Sequence, residues 1–143
     1  MTDEERRAIE WECERVIRRY VNLADAQDWD AVAALYTEDA RFARPSRPGE
    51  FVEGRAAILA SFTARAPRAQ RHVIANTVVE VDDSEHARAF SVIVLYMGDV
   101  PAGGGLPVQD PASPAIGTYT DRLVRTGSGW RFAERVGGLD FRS

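Results

Sequence analysis

An imidazole can move protons near neutral pH, and this chain places one, His72, in the β-branched run from Arg71 to Val81. A strand's period of two puts His72, Ile74, Asn76 and Val78 on one face and Val73, Ala75, Thr77, Val79 and Val81 on the other. Polar groups alternating with aliphatics suit a ligand cavity over a sheet, where apolar walls bind and a few polar groups orient. The same pattern also describes a core histidine and asparagine satisfied by their neighbours. The second histidine, His86, stands beside the turn Asp82-Asp83-Ser84-Glu85. In an extended hairpin the two imidazoles lie roughly 30 Å apart, too far to share a metal or a proton.

Elements must exist to hold such a site. Ile9, Cys13, Val16, Ile17, Tyr20, Val21 and Ala24 recur at three- and four-residue steps, predicting an amphipathic helix over 3–26 with acidic residues at its start. Asp28 is a good N-cap for a short helix over 28–36, and Ile58, Leu59 and Phe62 mark a third over 55–66, stopped by Pro67. A strand is expected over 40–44. The second half reads as strands over 69–81, 87–97, 115–125 and 130–136, with a Pro- and Gly-rich connection over 101–114 that is either a lid or a plain surface excursion. Helices first and an antiparallel meander afterwards is the α+β pattern, here a single domain over 1–143.

Composition excludes several function classes. With 143 residues and 45% apolar content, the chain can bury one sizeable core. A net charge of -4 with both signs interspersed argues against nucleic acid, and Arg41, Arg44 and Arg47 read as a solvated strand edge and loop. Gly103-Gly104-Gly105 lacks the Lys-Ser/Thr of a phosphate loop. One cysteine, Cys13, leaves no internal disulfide, and one cysteine with two histidines gives no zinc spacing. No apolar stretch is long enough to span a bilayer, and the N-terminus lacks the apolar core of a signal peptide, so the expected location is cytoplasmic, with no membrane partner.

Several short motifs follow one another over nearly the whole chain: Tyr20 to Asp25, Leu35 to Ala40, Gly54 to Ile58, Arg71-His72 with Asn76, Gly117 to Arg122, and Gly129 to Phe132 with Arg135. In this order they resemble the SnoaL-like group of the nuclear transport factor two-like superfamily, which includes polyketide cyclases, scytalone dehydratase and bile-acid dehydratases. The resemblance implies a cone: helices packed in a strongly curved, mainly antiparallel sheet, a deep pocket between them, and a homodimer through the outer sheet face. Dehydratase-type members place a tyrosine and an aspartate of the first helix and a histidine of the first long strand in that pocket; the matching positions are Tyr20, Asp25 and His72.

Those residue types suit proton transfer, because a carboxylate fixes a histidine's tautomer and stabilises its cation while a phenol donates to a developing oxyanion. Such a set needs neither metal nor organic cofactor. It implies a lyase or isomerase acting on a small hydrophobic oxygenated ring substrate; the other reading is a non-catalytic binding or accessory domain. Each member also has a structural reading: Tyr20 lies on the apolar stripe, and Asp25, about 140° further around an ideal helix, could be a turn residue. Asn76, Tyr119, Asp121 and Arg135 are further pocket candidates, although Asp121 would equally form a cross-strand pair with an arginine. Neither the Asp-Arg-Asp arrangement of limonene epoxide hydrolase nor the tyrosine and paired carboxylates of ketosteroid isomerase has an equivalent, which disfavours those activities.

Overall fold

A computed structural model describes residues 1–141. Helix α1, Asp3–Asp25, opens on a capping box in which Thr2 and Glu5 satisfy each other's backbone N–H groups, with Asp3 and Glu4 completing an acidic first turn. Ile9, Cys13, Ile17, Tyr20, Val21 and Ala24 form its buried stripe. It ends in a Schellman motif: Gln27, at φ 58°, donates to the Ala24 carbonyl while the Asp28 amide reaches back to Leu23. Asp28 then caps α2, Trp29–Ala33, by accepting from the Ala31 amide. One reversal thus joins the two helices with most orphan polar groups satisfied.

Helix α2 is shorter than its apolar pattern suggests, because Tyr36 already belongs to strand β1, Tyr36–Ala43, opposite Phe132. The remaining elements are β2 (Val52–Glu53), α3 (Arg55–Thr63), β3 (Ala69–Val81), β4 (His86–Asp99), β5 (Val108–Gln109), β6 (Ala115–Thr126) and β7 (Gly129–Leu139). Strand order is β2-β1-β7-β6-β4-β3, with β5 on the edge of β4. The result is the expected α+β fold of helices against a curved sheet, mixed because β1 runs parallel to β7. Tyr20, Tyr36, Phe42, Phe62, Trp130 and Phe132 belong to the one buried cluster that unites helices and sheet. No helix among the described residues is long and apolar enough to cross a membrane.

The predicted facing of β3 holds for half its length only. His72 pairs with Leu95 and Ile74 with Ile93, but the register slips between Ala75 and Val78, where Asn76 adopts φ 52°. A bulge adds one residue, and one residue exchanges the two faces of a strand. Before it, His72 and Ile74 turn inward; after it, Val79 and Val81 are buried and Val78 is exposed. Asn76 therefore sits exposed at the bulge rather than in the pocket. Segment 101–114 is tied down over its second half: Gly98 pairs with Gln109, Ser113 Oγ bonds Met97, and Asp110 bonds Arg68.

Candidate active site

Asp25 is the last residue of α1, the end of a helix where a negative charge is least favoured. Its carboxylate is held from β3: Oδ2 accepts from the His72 amide at 2.8 Å and Oδ1 meets the ring Nδ1 at 2.5 Å. Arg71 adds a longer contact at 3.7 Å. Because an ionised carboxylate only accepts, the contact assigns a proton to Nδ1, and in the neutral imidazole the lone pair is then on Nε2. The imidazole lies on the wall of a cavity of ≈ 390 Å³, alongside Tyr20, Trp29, Phe42, Phe62, Ile93, Leu95 and Tyr119. Apolar surface dominates this wall.

Tyr20 reaches the same cavity from the buried stripe of α1, and its hydroxyl lies 2.7 Å from that of Tyr36. Burial pushes the Tyr20 hydroxyl well above the ordinary tyrosine range, and it pushes Tyr36 and Tyr119 the same way. All three remain neutral donors at physiological pH. Three rings pack edge-on about Tyr20: Tyr36, Tyr119 and Phe132, at 5.5 to 6.4 Å.

Beneath this layer, Arg135 and Asp121 are register partners on β7 and β6 and form a fully buried bidentate pair at 2.8 and 3.0 Å. Burial opposes the charge of each, raising the Asp121 carboxyl against the pull of Arg135; the Asp121 carboxylate in turn holds Arg135 up. The bidentate geometry fits the ionised pair. Among the described residues Arg135 Nη1 has no hydrogen-bond acceptor, yet its guanidinium carbon lies 3.8 Å from the Tyr119 ring centroid, 4.3 Å from Phe132 and 4.4 Å from Tyr20. Ring faces replace the missing acceptor. Asp121 and Arg135 thus support the cavity from behind and do not line it, the cross-strand alternative raised above.

Of the residues singled out from sequence, His72, Tyr20 and Tyr119 line the cavity, Asp25 stands directly behind His72, and Asn76, Asp121 and Arg135 are elsewhere. Sequence reasoning missed Tyr36, Arg44 and Arg65. Arg44 follows buried Ala40 and Phe42 at a period of two, and Arg65 follows Phe62 at helical spacing. The spacing of Arg44 carried a signal, whereas Arg65 lies beyond the end of α3. Instead of being solvated, Arg44 joins Pro45 in the cavity wall, where a Cβ at Gly137 would lie 2.5 Å from the proline ring. Among the described residues no group of three or more His, Cys, Asp or Glu side chains could hold a metal ion.

Residues 5–136 match the model of the SnoaL-like domain, and the chain belongs to that family. No curated protein matches the sequence. Among solved structures, a candidate scytalone dehydratase from Novosphingobium aromaticivorans superposes with a TM-score of 0.81 at 18% identity, covering 99% of this chain and 91% of its own. A protein of unknown function from Mycobacterium tuberculosis is 26% identical, with a TM-score of 0.75 over 91% of this chain and 75% of that one. ActVI-ORFA from Streptomyces coelicolor, at 21% identity, gives 0.72 over 90% and 95%. Family membership and superposition agree on the fold.

Proposed function

We propose that this protein is a cofactor-independent lyase or isomerase, of dehydratase or cyclase type, acting on a small hydrophobic oxygenated ring compound of polyketide, steroid or terpenoid kind. The observation that carries the reading is the Asp25-oriented imidazole of His72 on an apolar cavity wall shared with the buried phenol of Tyr20. His72 Nε2 removes a proton alpha to a ring carbonyl, and Asp25 stabilises the imidazolium that forms. Tyr20, whose hydroxyl is shared with Tyr36, donates to the enolate oxygen. The imidazolium then returns its proton to the departing β-hydroxyl, so that water leaves and a conjugated double bond remains. Apolar walls keep bulk water from the enolate.

The test is a panel of ring-borne β-hydroxy ketones followed by the ultraviolet absorbance of the enone. Turnover by the native protein and its loss in His72→Gln, with folding intact, is the expected result. Full activity in that variant rejects the histidine's role, and tight binding of every panel member without turnover favours a non-catalytic binding domain. The same reading includes a cytoplasmic location and a homodimer, the latter supported by Val73, Val78, Phe90 and Tyr96 exposed on β3 and β4. Sedimentation of wild-type protein beside Phe90→Lys measures that association.

A further inference from the structure

The cavity wall carries two guanidinium groups, Arg44 and Arg65, and no carboxylate among the described residues. Other half-buried arginines find acceptors: Arg41 on Glu134, Arg68 on Asp99 and Asp110, Arg55 on the Tyr36 carbonyl. Arg65 does not. Its Nε is buried without a hydrogen-bond partner among the described residues, and its guanidinium packs on the Phe62 ring at 4.9 Å. Phe62 stacks in turn on Trp29 at 5.1 Å and lies 5.5 Å from Phe42 of β1, two residues before Arg44, which follows the strand's end. One side of the cavity is therefore an aromatic shelf with two cations at its border.

We propose that the substrate carries a carboxylate, which docks on Arg65 and Arg44 while its ring lies along the Trp29, Phe42 and Phe62 shelf toward His72. This rests on the reading of the cavity as the substrate site and narrows its substrate class from hydrophobic oxygenated ring compounds to ring-bearing acids. A buried guanidinium N–H without an acceptor is costly, and a carboxylate supplies charge-assisted acceptors in the planar geometry that arginine matches. Burial and then the adjacent Arg44 charge push the pKa of Arg65 down. An apolar acid of bicyclic size also fits a cavity of ≈ 390 Å³.

Isothermal titration with 2-naphthoate and with its methyl ester tests the proposal, since the two share a ring system and differ in charge. Wild-type protein should bind the acid at least about tenfold more tightly than the ester, and raising the salt from about 0.01 to about 1 M should weaken the acid alone. Arg65→Gln and Arg44→Gln should each shrink the preference and the double variant should remove it, with unchanged ester affinity showing that the cavity is intact. His72→Gln should keep the preference. Equal affinities in wild-type protein, absence of acid binding, or a preference that survives in the double variant overturns the proposal. If that happens while His72→Gln still abolishes turnover, the proton-transfer reading stands alone; if the preference holds and His72→Gln stays fully active, only the proton-transfer reading falls.

Discussion

The hairpin of β3 and β4 carries the same residue pair at both its ends, with opposite consequences. At one end His72 Nδ1 meets Asp25, across 47 residues of sequence, with side chains only 10% and 2% exposed. At the other, His86 Nδ1 meets Asp83 at 2.9 Å, three residues away, with side chains 60% and 59% exposed. Chemistry alone does not separate them. What differs is that the first pair is fixed by tertiary structure beside an apolar hollow, whereas the second is a local turn contact in water, where ion pairs contribute little. An imidazole becomes a candidate base through enclosure and the direction of its free nitrogen.

That contrast can be broken most sharply by exchanging each histidine for glutamine. His72→Gln should lower turnover by about 10³-fold or more, since it removes both base and acid, while His86→Gln should leave turnover unchanged. Steady-state rates on the best panel substrate measure both, and equal losses would erase the distinction. Next in size, Asp25→Asn should cost about 10²-fold or more. Its amide can donate to Nδ1 and so favours the tautomer with the proton on Nε2, where a base is needed. Asp83→Asn should not change the rate.

Breaking the support beneath the cavity should act on stability first. Asp121→Ala leaves the Arg135 charge buried and unpaired, and denaturant unfolding should show a loss of about 3–5 kcal/mol. The smallest effect belongs to the exposed pair. The Glu85 amide, then the His86 ring, hold the Asp83 carboxyl below its ordinary range. A depressed folded-state value contributes stability above the unfolded carboxylate range and loses it as pH falls through the folded value. Asp83→Asn should therefore melt slightly below wild type at neutral pH and converge with it under strongly acid conditions, as read by thermal melts across pH.

Much of the fold was legible because periodicity is local. The stripe from Ile9 to Ala24, the Asp28 cap and the long β-branched runs each announce their element within a few residues. The parallel β1 and β7 pair was hidden, since Tyr36 meets Phe132 only after the chain between them has folded. The inward face of His72 could be read from alternation, but the slip at Asn76 could not. A bulge is a backbone event, and an asparagine at positive φ leaves no mark on a pattern of hydrophobicity. Helical geometry set Tyr20 and Asp25 apart; they serve one cavity because the helix stops at Asp25 and β3 comes to its carboxylate. Arg65 was overlooked because a cation at a helix end is ordinarily solvated, and only the neighbours of Phe62 show otherwise.

The slip at Asn76 lets a single ribbon speak in two phases. Upstream, Gln70 and His72 address the hollow; downstream, Val79 and Val81 address the hydrophobic interior. Gln70 and His72 therefore shape the hollow from positions outside the buried cluster, while Val79 and Val81 anchor the same strand within it.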